Sequence, residues 1–200
     1  QIYFTADDNV TGREIWNFNF LQLSNGAHLI KDINQGAADS FLFDSDIEFI
    51  ELEGDILFAA NNGIVGNELW KTDGTEDGTY MVKDIHPGNS TSGYPLSSSP
   101  SSFVTIGDTM YFTATGQFGK ELYSSDGSTT GTQLVEDFNY GSADGLGCDS
   151  PYYDDCYYYY NSYSANLFAL DSYLLFQAQD GYFGYELYFN QLRETNVYYN

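Results

Sequence analysis

Basic side chains are scarce: six Lys and Arg stand against 29 Asp and Glu in 200 residues, a net charge of −23. Arg13, Lys31, Lys71, Lys83, Lys120 and Arg193 are too few to build the cationic surface that displaces counterions from a phosphate backbone. Nucleic acid is therefore excluded as a simple partner, and an anionic membrane surface on the same grounds. No apolar run approaches the roughly 18 residues that cross a bilayer, so no membrane insertion is expected. What is plentiful is apolar and aromatic: 42% of residues are hydrophobic and 18% aromatic, against the low-aromatic composition of a disordered acidic tail. The chain is expected to fold around a sizeable core, as one all-β domain over residues 1–200.

Cysteine is nearly absent. Cys148 and Cys156 are the two in the chain, separated by seven residues in a stretch rich in Tyr, Asp, Gly and Ser. An even pair in one loop reads as a local disulfide in an oxidising compartment, with two reduced thiols as the alternative. No histidine lies near enough in sequence to complete a zinc site. The first residue, Gln1, sits in a strand-like run without an initiator Met or a signal-like n-region, which reads as a mature chain or a fragment. Asn9-Val10-Thr11 and Asn89-Ser90-Thr91 are sequons that permit glycosylation.

Aligned with itself, the chain resolves into four copies of one pattern. Ile2-Tyr3-Phe4-Thr5-Ala6 leads to Gly12-Arg13-Glu14-Ile15-Trp16, and Ile56-Leu57-Phe58-Ala59-Ala60 leads to Gly66-Asn67-Glu68-Leu69-Trp70. Met110-Tyr111-Phe112-Thr113-Ala114 leads to Gly119-Lys120-Glu121-Leu122-Tyr123, and Leu174-Leu175-Phe176-Gln177-Ala178 to Gly184-Tyr185-Glu186-Leu187-Tyr188. The glutamates Glu14, Glu68, Glu121 and Glu186 are 54, 53 and 65 residues apart, too regular for chance. Each segment is short, β-branched or aromatic, and bounded by Gly, Asp, Asn and Ser, which predicts strands and no helix. Units are expected at about 1–33, 46–85, 102–138 and 166–200, with an insertion at 139–165. Four strands in a period of roughly 50 residues predict antiparallel four-stranded units of β-propeller type, the first lacking its initial strand. A sandwich or stacked array is the alternative. An incomplete unit leaves a sheet edge to be completed or protected.

Glu68-Leu69-Trp70-Lys71-Thr72-Asp73-Gly74-Thr75-Glu76-Asp77-Gly78-Thr79 resembles the ELWxxDGT repeat of large secreted bacterial proteins, and Val82-Lys83-Asp84-Ile85 resembles its usual continuation. The third unit keeps Glu121-Leu122-Tyr123 and Ser125-Asp126-Gly127-Ser128, the first Glu14-Ile15-Trp16 and Lys31-Asp32-Ile33, the fourth Glu186-Leu187-Tyr188. The resemblance implies an extracellular or cell-surface β-repeat protein, propeller-like, without a catalytic residue set.

The recurrent Glu invites a catalytic reading, yet a carboxylate needed once per repeat is better read as an acceptor for turn N–H groups that organises each hairpin, with Trp16 and Trp70 as its structural companions. Asp73, Glu76 and Asp77 are candidate oxygen ligands for Ca²⁺, weighed against plain Asp-Gly turns. His28 and His86 fall at different repeat positions, no nucleophile elbow is present, and Ser97–Ser102 reads as linker, so no enzyme is expected. Seven of the 19 tyrosines, Tyr152, Tyr153, Tyr157, Tyr158, Tyr159, Tyr160 and Tyr163, crowd the insertion. Tyrosine offers rigid amphipathic area, so this loop is a candidate surface for protein or sugar contact, or a lid over its own unit. The function expected is structural or adhesive, through contacts with itself or other extracellular proteins. A glycan-binding or glycan-acting propeller domain is the alternative.

Overall fold

A computed structural model describes residues 1–21, 26–41, 47–139, 146, 166–179 and 185–191. Among them there is no α-helix, and the strands form four antiparallel sheets in chain order. The first holds β1 (Ile2–Asp7), β2 (Arg13–Phe18) and β3 (Ala27–Lys31). The second holds β4 (Ile50–Leu52), β5 (Asp55–Asn61), β6 (Asn67–Thr72) and β7 (Tyr80–Lys83). The third holds β8 (Ser101–Ile106), β9 (Thr109–Gly116), β10 (Gly119–Ser125) and β11 (Gln133–Glu136). The fourth holds β12 (Phe168–Leu170), β13 (Tyr173–Gln179) and β14 (Tyr185–Gln191). The all-β, antiparallel, repeated architecture read from the sequence is what the chain adopts. The first sheet has three strands, as the phasing requires, and β4 is shorter than the alternating run 46–52 suggested.

The four sheets share one register. Ala6, Ala60, Ala114 and Ala178 each face the repeat glutamate across the pair, and Phe4, Phe58, Phe112 and Phe176 each face the aromatic residue two positions later. A small residue opposite Glu leaves room for its carboxylate, and an aromatic pair on the same face supplies buried area. A bulge also recurs: the ladder slips between Ile15 and Trp16, Leu69 and Trp70, and Leu122 and Tyr123. Tight hairpins occur where expected. Glu53 and Gly54, both at positive φ (52° and 95°), close β4–β5, the geometry that suits the twist of an antiparallel pair.

The chain divides into two compact units, Gln1–Ser99 and Pro100–Asn200, each containing two sheets. In the first, Ile15, Ile30 and Ile33 share a core with Phe41, Phe58, Ala60 and Trp70. The Phe41, Phe49 and Phe58 rings meet there at 5.7–6.3 Å between centroids. In the second, Leu122 and Leu146 pack with Leu167, Leu174, Phe176 and Ala178. Phe138 lies edge-on to Phe176 and Tyr188, which stack on one another at 5.7 Å. Within each unit, opposite faces of successive sheets therefore meet: Tyr3 and Ile15 of the first sheet pack with Phe58 and Trp70 of the second, and Tyr111 and Leu122 of the third with Phe176 and Ala178 of the fourth.

Candidate functional site

Three of the four repeat glutamates are fully buried: Glu14, Glu68 and Glu121 are 0% exposed. Their partners come from far along the sequence. Glu14 Oε2 accepts from the Ile33 amide at 3.0 Å, and Oε1 from the Asn34 amide at 3.2 Å and the Ser40 hydroxyl at 2.5 Å. Glu68 Oε2 accepts from the Ile85 amide at 2.8 Å and the Ser98 hydroxyl at 2.6 Å, and Oε1 from the Ser98 amide at 2.8 Å. Glu121 Oε2 accepts from the Phe138 amide at 3.2 Å. The donors thus sit after the last strand of the same sheet and in the link to the next, not in the adjoining hairpin turn that sequence reading assigned to this Glu.

Each link also runs back along the residue before the glutamate. The amides of Ser40, Ser99 and Leu146 donate to the carbonyls of Arg13, Asn67 and Lys120 at 2.9–3.0 Å. Glycine precedes Arg13 and Asn67 because the link passes too close for a side chain: a Cβ on Gly12 or Gly66 would overlap the Ala38 or Leu96 carbonyl, and both glycines have positive φ. Burial pushes the Glu14 and Glu68 carboxyls above their ordinary range, outweighing the hydroxyl and amide donors that favour the charged form. Asp32 and Asp84, next to the amides that hold them, push the same way.

The Asp-Gly-Thr loops are self-contained. Asp73 Oδ1 accepts from the Thr75 amide and hydroxyl at 2.8 and 2.6 Å, and Thr75 Oγ1 accepts from the Gly78 amide at 3.0 Å. The Thr72 and Thr79 hydroxyls meet at 2.6 Å beneath. The third sheet repeats this arrangement through Asp126, Ser128, Gly131, Ser125 and Thr132. These short donors hold the Asp73 carboxyl below its ordinary range. In the first sheet Asp8 is held low likewise, by the Val10 and Thr11 amides and the Thr11 hydroxyl.

Of the candidate calcium ligands Asp73, Glu76 and Asp77, Asp73 accepts from its own loop, and among the described residues no group of three or more His, Cys, Asp or Glu is placed to hold a metal ion. The Ser97–Ser102 run is likewise more than linker: Ser97 Oγ accepts from the Asn67 amide at 3.0 Å, Ser98 is 0% exposed on Glu68, and Ser101 opens β8. Ser40 and Ser98 carry no motif that sequence reading could have singled out.

Glu186, in the fourth sheet, is exposed although Ala178 faces it in the shared register. Trp16 and Trp70 lie in that register too, Trp70 at 6% exposure and Trp16 half-buried. Cys148, Cys156 and the tyrosines at 152, 153, 157, 158, 159, 160 and 163 lie outside the described residues. No helix is long and apolar enough to cross a membrane among the described residues. Compared with protein-family models and with characterised proteins, the chain matches none.

Proposed function

We propose that the chain is a non-catalytic structural or adhesive module, an extracellular β-repeat protein whose blade-like sheets make protein–protein contacts, including contacts with further copies. The observation that carries this reading is the use made of the repeat's most chemistry-like residue. Glu14 and Glu68, fully buried, have their carboxylate oxygens occupied by backbone amides and serine hydroxyls that tie one sheet to the link leading to the next. A group so enclosed organises architecture and is closed to substrate. Sequential strand order, a shared register and the same pairing of opposite faces between sheets within each unit support propeller-type blades. The likeness to the ELWxxDGT repeat supports a secreted setting.

Electron microscopy of the purified chain over a range of concentrations tests the reading. Ordered polymers or sheets are the expected result. Isolated particles at every concentration, together with hydrolysis of a polysaccharide by the same preparation, would overturn it.

A further inference from the structure

The fourth sheet presents an apolar face that its counterparts keep covered. In the shared register Leu187 takes the place of Ile15, Leu69 and Leu122, which are 0, 0 and 1% exposed, yet Leu187 is 73% exposed. Phe189, at 53%, stands where Asn17 stands in the first sheet, and Phe168 and Leu170, each at 62%, extend the patch through Leu175 across β12–β13–β14. None of these five residues is charged in a chain of net charge −23. An uncharged patch of this kind on so acidic a surface marks an interaction site.

The molecule itself shows what covers such a face. Within the first compact unit, the Tyr3, Ile15 and Asn17 side of the first sheet is met by the second sheet: Ile15 shares a core with Phe58, Ala60 and Trp70, and Asn17 Nδ2 donates to the Gly74 carbonyl at 3.3 Å. Within the second unit, Leu122 is met by Phe176 and Ala178 of the fourth sheet. The covering face is always the one bearing Phe, Ala and the aromatic of the repeat. One copy of that face lacks the burial of the others: on the first sheet Ile2 is 47% exposed and Phe4 and Trp16 are half-buried, whereas Phe58 and Trp70 are at 0 and 6%.

Building on the structural-module reading, we propose that the Leu187 face of one copy docks on the Ile2–Phe4–Trp16 face of a second copy, extending the sheet-on-sheet stacking from molecule to molecule. The two surfaces differ, so the contact is heterologous and propagates head to tail.

Sedimentation velocity on the full 200-residue chain tests this with Leu187→Glu, Ile2→Glu, and Ile64→Glu as a control of equal charge at a loop residue 75% exposed. All three positions are exposed, so the fold tolerates the changes. The wild type and Ile64→Glu are expected to form a concentration-dependent series of oligomers. Leu187→Glu and Ile2→Glu alone are each expected to weaken association at least about tenfold. Mixed one to one, they are expected to form a dimer and stop there, because each retains the surface the other has lost. Polymers that persist in both variants overturn this interface while leaving the structural role intact. A wild type that stays monomeric at all concentrations overturns both, and a lowered melting temperature of Leu187→Glu in that monomer would assign the covering face to the same chain.

Discussion

Glu68 and Ile85 are joined by a hydrogen bond of 2.8 Å from the Ile85 amide to Oε2, and the same bond links Glu14 to Ile33 and Glu121 to Phe138 at 3.0 and 3.2 Å. The two halves of the repeat that look separate in sequence, the Glu-hydrophobic-aromatic segment and the later Asp-Ile or Asp-Phe, are thereby one structural device. It fixes where the last strand of a sheet ends and where the chain turns toward the next sheet.

Removing that carboxylate is expected to be costly. Glu68→Ala would leave two amides and a hydroxyl buried without their acceptor. At roughly 1–3 kcal/mol for each unsatisfied group, a loss of at least about 3 kcal/mol is expected. Urea unfolding measures it. Glu68→Gln keeps one acceptor oxygen but sets an amide donor against another, so it should fall between wild type and Glu68→Ala.

Acidification from neutral pH is expected to stabilise the protein. The folded Glu14 and Glu68 carboxyls are raised above the ordinary 4.5, so the native state binds protons before the unfolded chain does. Their favourable contribution is complete below about 4.5 and is lost as pH rises through the folded values. Asp8 and Asp73 act in the opposite sense: held low, they favour the fold above 3.8, and that contribution disappears as pH falls through their folded values. Urea midpoints should therefore increase from neutral pH toward the ordinary Glu range and fall again in stronger acid. The double variant Glu14→Gln, Glu68→Gln should flatten the first slope. An unchanged slope would assign it to the relief of general charge repulsion alone.

The fold was legible because its signals are local. Alternating Phe and Ala in one strand and Glu and Trp in the next specify a face, and the four sheets pair them identically. The anchoring of Glu was less legible, because its serine donors lie 26 and 30 residues away in links without periodicity. Ser98 reads as spacer in a Ser-rich run; only the returning path of the chain makes it a buried donor. The Asp-Gly-Thr loop was less legible for a related reason. Asp-Gly-Thr supplies oxygens in a row, but the nearest donors are the loop's own amide and hydroxyl, and these take the Asp73 carboxylate first.

Gly78 is expected to resist even a methyl group. A Cβ there would overlap the Asp73 carboxylate, and one on Gly131 would overlap Asp126. Gly78→Ala must move the Asp or open the loop, at a cost of about 1–3 kcal/mol. Asp73→Ala removes the obstacle, so adding it to Gly78→Ala should cost less than the sum of the single changes. Additive losses in thermal unfolding would show that the glycine acts through backbone freedom instead.

Cations are expected to stabilise by screening. With a net charge of −23, added sodium chloride should raise the melting temperature through weaker self-repulsion. Calcium and magnesium chloride at equal ionic strength should shift it equally. A calcium shift that saturates at micromolar concentration would require a specific site beyond those the described residues form.

Leu122 and Leu187 occupy the same position of the register at opposite extremes of exposure, 1% and 73%. Leu122→Ala opens a cavity against Leu174 and Phe176 and should cost about 2–5 kcal/mol at any protein concentration. Leu187→Ala, at a side chain 73% exposed, removes little intramolecular packing and should change the stability of the dilute chain by less than about 0.5 kcal/mol. Concentration separates the two further. If the Leu187 face is covered by another copy, the wild type gains stability as it is concentrated, because association favours the folded state, and Leu187→Ala gains less. Melting curves across a hundredfold concentration range would show the gap between wild type and Leu187→Ala opening with concentration, while the gap to Leu122→Ala is already wide in dilute solution.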